Sequence, residues 1–330
     1  MKKWNVILGV DVSKLTLDIC CAERNLHIKI DNCSKGFCVL RKWCKINRID
    51  LTKTLIVLEF TGGYEYRFLQ FCESMSISYC RVPGLEIKNS SGMTRGKSDE
   101  MDAFRIGQYG EDKIKRLEPS KPLNKNIIEL KQLLSFRKRL VKEKAGLEST
   151  VKERKHMYGV KEADTITCIA RDRIKSNEEH ILRIEQEIME MIKTDEDMWR
   201  NYRIITSIKG IGKVNGWMTI AYTENFVSFT DPRPYAVFVG VIPFDHTSGT
   251  SIKKRKRVSH LAHKVLKAEL NQAAKTAIVH DAEIRDYAER KLKNKAYPLV
   301  LNNVKFKLIL RMFSLVKRGE MYVENYRRSA

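Results

Sequence analysis

The sequence predicts an α/β domain at the N-terminus, joined through a long charged helical section to a mainly helical C-terminal part. Three observations lead there. Short apolar and alternating segments fill the chain up to about residue 115. From Asn124 to about Lys193 there is no proline, and the only glycines are Gly146 and Gly159. After Arg200, glycines, aromatics and dense basic charge return. A chain of 330 residues exceeds the usual ~100 to 200 of one domain, and the expected divisions are 1–120, 121–199 and 200–330. Hydrophobic residues at 43% and charged residues at 31% are globular proportions. Apolar runs such as Trp4–Val10 and Leu55–Leu58 fall far short of the ~18 residues of a membrane span. No signal-peptide core follows Met1-Lys2-Lys3, so a cytoplasmic protein is expected.

Trp4 to Leu8 is a short apolar run and Val10 to Cys20 alternates, which predicts two strands joined near Ser13-Lys14. His27 to Ile30 adds a third strand, Gly36 to Ile46 a helix, and Thr54 to Glu59 an apolar strand ending on an acid. Tyr64 to Ser74 reads as a helix and Ile77 to Val82 as a strand before Pro83. The order β-β-β-α-β-α-β implies a mixed sheet covered by helices. In the middle section, Leu130, Leu133, Leu140, Leu147 and Val151 form one helical stripe, interrupted by Arg137 and Lys144, and Ile174, Ile181, Ile184, Ile188 and Met191 form a second. An antiparallel hairpin turning near Tyr158 to Glu162 is the economical reading, with a seam that packs internally or also binds a second protomer.

Lysine and arginine exceed aspartate and glutamate by 62 − 40 = 22. Solubility needs only ~2 to 8 units of charge in a small domain, so a polyanionic partner, nucleic acid, is expected. Residues 200–275 hold 13 Lys/Arg against 4 Asp/Glu, which concentrates that footprint in the third section. The eight cysteines include no C-x-x-C pair and seven lie among apolar neighbours before residue 81. Buried thiols are expected, since Cys33, Cys38 and Cys44 fit no common zinc spacing.

Four carboxylates stand out. Asp11 sits between Val10 and Val12, where an acid is costly unless something positive pairs with it, and Glu59 closes the Leu55–Leu58 run at a strand end. Asp99 and Asp102 share one helix face, with Ser98 as N-cap. Converged, the set could bind two divalent cations, and all-oxygen donors favour magnesium or manganese for in-line phosphoryl transfer. Asp18, Glu65 and Glu100 fall outside this spacing and are expected to stand aside.

Gly9-Val-Asp11-Val-Ser-Lys, Glu59-Phe-Thr-Gly-Gly-Tyr64 and Gly96-Lys-Ser-Asp99-Glu-Met-Asp102-Ala103 resemble the signature of the DEDD-type insertion-sequence transposases, a family that includes pilin-gene invertase relatives and bridge-RNA-guided recombinases. The resemblance spans nearly the whole chain. It implies an N-terminal RNase H/RuvC-like mixed sheet with helices, a helical coiled-coil insertion and a C-terminal mainly helical transposase domain. It places Asp11, Glu59, Asp99 and Asp102 in the four metal-binding DEDD positions, with Thr61 and Lys97 as neighbours.

Two C-terminal segments add to this. Thr206-Ser-Ile-Lys-Gly-Ile-Gly-Lys213 resembles the hairpin of a helix-hairpin-helix, with Gly210 and Gly212 admitting a phosphate to backbone N–H groups and Lys209 and Lys213 adding charge. Tyr235 to Pro243 leads into His246-Thr-Ser248-Gly249 and the basic run Lys253, Lys254, Arg255, Lys256, Arg257. This looks like the family's Leu-Val-Pro segment and Ser-Gly pair, which makes Ser248 the implied nucleophile. The family's following Gly-x-Ile-Ser-Lys-x-Gly stretch is replaced here by Arg257-Val-Ser-His-Leu-Ala-His263, so Ser251 and Ser259 stay as fallback nucleophiles. His246, His260 and His263 have no assigned role.

The resulting expectation is a transposase that cuts and rejoins the DNA of an insertion element with help from a structured noncoding RNA, as a homodimer that doubles to a tetramer, associated with the bacterial nucleoid. The alternatives are a metal-dependent nuclease of the Holliday-junction kind, which hydrolyses DNA without a covalent intermediate, and a nucleic-acid-binding scaffold with structural acids.

Overall fold

The computed structural model describes residues 4–60, 62–90, 92, 98–159, 164–248 and 252–324, with the backbone alone for 244–248 and 252–257. Thr61, Gly96, Lys97, Gly249 and Ser251 lie outside the described residues. The chain forms two compact units, Met1–Leu123 and Asn124–Ala330.

In the first unit, β1 (Val6–Val12), β2 (Thr16–Cys21) and β3 (Leu26–Asp31) form an antiparallel meander. Then come α1 (Ser34–Ile46), β4 (Thr54–Glu59), α2 (Tyr66–Ser74), β5 (Ser78–Val82), α3 (Gly84–Ser90) and α4 (Asp99–Lys113). The sheet order is β3-β2-β1-β4-β5, with β4 parallel to both β1 and β5. This is the RNase H-like α/β arrangement expected from the strand order. Both faces of β4 are covered, which explains its uninterrupted apolar run. Ile56 and Leu58 join the core with Leu8, Val10, Phe37, Leu40 and Phe68, whereas Leu55 and Val57 face a second core with Ile7, Ile106 and Tyr109. Cys20, Cys21, Cys44, Cys72 and Cys80 are buried free thiols.

Helix α4 lies unusually close to the sheet. A Cβ placed on Gly9 would fall 2.2 Å from the Gly107 nitrogen and 2.3 Å from the Ala103 carbonyl oxygen, both backbone atoms of α4. One turn on, a Cβ on Gly110 would fall 2.8 Å from both Ile7 and Val57. Glycine on each side thus lets a helix backbone rest directly on β1.

In the second unit, α5 (Lys125–Tyr158) and α6 (Thr165–Thr194) pack side by side. Leu130, Leu140, Ile184 and Ile188 of the predicted stripes are buried. The interruption at Arg137 has a partner: its Nη2 lies 2.6 Å from Glu185 of α6. Lys144 bridges to Glu178 at 2.6 Å. The remaining elements are α7 (Glu196–Thr206), α8 (Lys213–Thr223), α9 (Pro232–Val239), the strands β6 (Phe244–Ser248) and β7 (Ile252–Arg257), then α10 (Lys264–His280), α11 (Ala282–Leu292) and α12 (Tyr297–Arg318). The inner ends of the hairpin share one core with these helices, around Trp217, Tyr235, Leu270, Leu308 and Met312. The C-terminal part is mainly helical as expected, with a two-stranded antiparallel ribbon that the basic run did not announce. Among the described residues no helix is long and apolar enough to cross a membrane.

Candidate functional site

The acidic residues gather where β1 and β4 end. These strands run parallel with Val10 beside Leu58, so the next residues on each strand, Asp11 and Glu59, stand at one edge of the sheet. Opposite ends of neighbouring parallel strands would have separated them. Helix α4 begins with Ser98, whose side chain accepts from the Met101 amide, and the close packing of this helix on Gly9 brings its first turn, with Asp99 and Asp102, to the same edge. The side chain of Asp102 accepts from Arg105 Nη1 at 2.8 Å, and Asp99 lies 3.4 Å from Lys29 Nζ.

Asp11 is the electrostatic centre. Burial, followed by repulsion from Asp102, Asp99, Glu59 and Asp18, pushes its carboxyl up to about 6. Glu59 is likewise raised, first by burial and then by Asp102. The structure therefore brings Glu59, Asp99 and Asp102 within electrostatic reach of Asp11. Two further residues belong to this edge. Asp18, expected to stand aside, is the direct cross-strand neighbour of Asp11; it is buried, 3.0 Å from both the His27 ring and Lys29 Nζ. Gly84 supplies room for Glu59: a Cβ there would fall 1.8 Å from Glu59 Oε1. The strand register marks the first, and the Pro83-Gly84 turn after β5 could have signalled the second.

The donor set fits a hard divalent cation, since a cation would relieve repulsion among half-buried carboxylates that have only oxygen to offer. As placed, however, no three His, Cys, Asp or Glu side chains among the described residues form a group that could hold an ion. Asp99 and Asp102 are engaged by Lys29 and Arg105 instead, and rotation away from these partners would be needed to close a ligand set.

The C-terminal candidates lie in the second unit. Ser248 is the last residue of β6 and pairs with Ile252 across the ribbon, while Lys253, Lys254, Arg255, Lys256 and Arg257 make up the rest of β7. Lys209 reaches Glu324 at 2.7 Å, and Lys213, at the start of α8, is paired with Glu185. Gly210 has φ +96°, and a Cβ there would fall 2.5 Å from the Ala273 carbonyl oxygen. Close approach to α10 therefore accounts for that glycine, whereas nothing lies within 4 Å of a Cβ placed on Gly212. His263 is structural: its Nδ1 accepts from the Leu266 amide as the cap of α10, and its ring lies 4.4 Å from that of Tyr222.

Comparison with known proteins agrees with both halves. The DEDD transposase family of the IS110 type matches residues 8–157, and the transposase family IS116/IS110/IS902 matches residues 202–289. The pilin gene-inverting protein of Moraxella lacunata is 26% identical over 274 residues, covering 80% of each chain. That of Moraxella bovis is 25% identical over 272 residues, with the same coverage. With an acid-lined sheet edge in the segment matched by the first family and the ribbon and its flanking helices in the segment matched by the second, the chain belongs to the IS110 family of transposases, enzymes that recombine DNA.

Proposed function

We propose that the protein cuts and rejoins the DNA strands of an insertion element, with Asp11, Glu59, Asp99 and Asp102 as its cation-binding carboxylates and Ser248 as its nucleophile. The observation that carries this reading is the crowding of carboxylates around Asp11, which costs stability unless a cation or a phosphate-bound cation occupies the edge. Magnesium or manganese bound there would neutralise the phosphate and stabilise the attacking and leaving oxygens. The chain's own contribution is to hold Asp11 and Glu59 on adjacent strand ends and to deliver Asp99 and Asp102 on a helix fixed against Gly9. In the transfer step the Ser248 Oγ–phosphorus bond forms and the phosphorus–oxygen bond to the departing strand breaks. The serine proton leaves to solvent or a base, and the departing oxygen takes up a proton. The phosphoserine ester keeps the strand joined for the reverse attack that seals it.

The net charge of +22 suits a chain that handles DNA and a structured guide RNA together. The name of the relatives, pilin gene-inverting protein, agrees with a recombination of DNA. Exposed Phe136, Val141, Ile166 and Leu182 on the α5–α6 hairpin support self-association as a dimer or a doubled dimer. The deciding experiment is to trap a covalent DNA–protein adduct with wild type and with Ser248→Ala. An adduct that Ser248→Ala abolishes is expected. Cleavage without any adduct, retained in Ser248→Ala, would instead establish the hydrolytic nuclease. Copurification of a discrete noncoding RNA tests the guide.

A further inference from the structure

Lys305 is out of place by the usual rules of burial. It lies in the middle of α12 among Val304, Leu308 and Ile309, is 5% exposed, and among the described residues its ammonium has no ion-pair or hydrogen-bond partner. Its aliphatic stem is buried in the core while its ammonium opens onto the recess beside it, a charge held against an apolar wall with no protein counter-charge among the described residues. Beside it, α10 presents Lys264, Lys267 and Lys275, also without an ion-pair partner among the described residues. Together they line a recess of about 560 Å³, with Gln272 as a neutral donor and Glu269 as the one acid. Four ammonium groups against one carboxylate leave the recess strongly positive, and the charge of Lys267 already bears on Lys305.

We propose that this recess between α10 and α12 is a binding site for the phosphodiester backbone of DNA, with Lys305 at its base and Lys264, Lys267 and Lys275 along its length. A phosphate oxygen is the ligand that suits an ammonium held in an apolar setting: it brings full charge and an acceptor, and it needs no sequence information to do so. The span selects a polymer over a free anion. Lys264 and Lys275 are eleven positions apart on one helix, so at ~1.5 Å rise per residue they cover roughly 16 Å, several times the width of one phosphate. This inference rests on the reading of the chain as a DNA recombinase and adds to it a backbone clamp separate from the basic run of β7 and from the α7–α8 turn.

Two measurements on the full chain test it. The first is the salt dependence of binding to a duplex of arbitrary sequence, for wild type, Lys305→Met and Lys267→Gln/Lys275→Gln. Each phosphate that a variant no longer neutralises should reduce the slope of log K against log salt by about 0.9, so the slope should fall by about one such step in the single variant and about two in the double. The second needs no variant: acetylation of wild type read by mass spectrometry, alone, with the duplex, with single-stranded RNA and with inorganic phosphate. Protection of Lys305, Lys267 and Lys275 by the duplex is expected. Unchanged slopes in folded variants, or protection by inorganic phosphate or RNA with none by the duplex, would overturn the site while leaving the recombinase reading standing. A wild-type chain that does not bind duplex at any low salt would overturn both.

Discussion

Arg81 on β5 donates through Nη2 to Oε1 of the fully buried Glu65 at 2.9 Å, while Glu65 Oε2 accepts from the Gly63 amide at 2.8 Å. The guanidinium also stacks on Phe60, 3.9 Å from the ring centroid. These interactions tie down both sides of the Gly62-Gly63 turn, where φ is +77° and +131°, immediately after Glu59. Arg81→Met should leave Glu65 buried without its guanidinium and destabilise the first unit by about 3 to 5 kcal/mol, whereas Arg81→Met/Glu65→Leu should recover most of that stability. Chemical denaturation of the three chains checks this. A single variant as stable as wild type would show the pair to be dispensable.

Gly9 fixes where the Asp99–Asp102 pair sits. Because the atoms that a Cβ would strike are backbone atoms of Gly107 and Ala103, Gly9→Ala can be accommodated only by moving α4 off the sheet. The expected cost is about 1 to 3 kcal/mol or more, with loss of strand transfer. Gly146→Ala is the control: nothing lies within 4 Å of a Cβ there, so in an exposed helix interior it should stabilise by roughly 0.5 to 1 kcal/mol. Thermal melts and a strand-transfer assay on both variants distinguish positional strain from a general effect of replacing glycine.

What the sequence made legible follows from periodicity and local chemistry. The alternation from Val10 to Cys20 marked the β1–β2 hairpin, and the apolar run to Glu59 marked a strand covered on both faces. Asp11 and Glu59 were identifiable because each sets a charge against an apolar run, and Asp99 and Asp102 because their spacing puts them on one helix face just after the cap Ser98. Long-range pairing was not visible. The partners of Lys209 and Lys213 are Glu324 and Glu185, far away in sequence, so both lysines read as free to meet phosphate. Asp18 became a neighbour of Asp11 only through the strand register. Lys253 to Arg257 carry no apolar alternation, and their strand exists by pairing with β6. Lys305 occupies a position that a helical pattern marks as core, and a lysine there signals nothing until the helix is packed.

The crowding at Asp11 predicts a ligand-linked stability. A divalent cation present at tenfold over its dissociation constant should stabilise the wild-type first unit by about 1.4 kcal/mol, by mass action alone. In Asp11→Asn and in Glu59→Gln most of that increment should disappear. Magnesium titrations followed by differential scanning calorimetry measure it without any DNA substrate. Equal stabilisation of wild type and Asp11→Asn would remove the carboxylates from cation binding.

Asp281 joins three elements of the second unit. It is fully buried, caps α11 through the Ile284 amide, and accepts from Arg311 at 2.6 Å and from the Tyr322 hydroxyl at 2.9 Å. Burial pushes its carboxyl up, yet the Ile284 amide, Arg311 and Tyr322 together outweigh it and hold the group below the ordinary carboxylate value. Its stabilising contribution is therefore present above the unfolded value of ~3.9 and is lost as pH falls through the lower folded value. Asp281→Ala should cost about 3 to 5 kcal/mol at neutral pH, with the gap to wild type narrowing in acid. Urea unfolding at pH 7 and near pH 3 tests the sign.

Lys305 carries the opposite linkage. Burial, reinforced by Lys267, pulls its ammonium down from 10.5 to about 8, so the folded state loses the proton more readily than the unfolded chain. The unfolded state then binds more protons between these two values, and stability rises with pH across that window. Below pH ~8 both states are charged and the cost of holding the ammonium against an apolar wall is fully present; above ~10.5 both are neutral and the cost is gone. Lys305→Met should therefore be more stable than wild type near pH 7, with the advantage shrinking steadily towards pH 10.5. Other titrating groups cancel in the difference between the two chains, so paired denaturation curves across this range isolate the one lysine. Bound duplex should shift the balance back by stabilising wild type more than Lys305→Met. A difference that stays flat with pH would mean that Lys305 meets enough water to keep its proton, and the ammonium at the base of the recess would then have no unmet need for a phosphate.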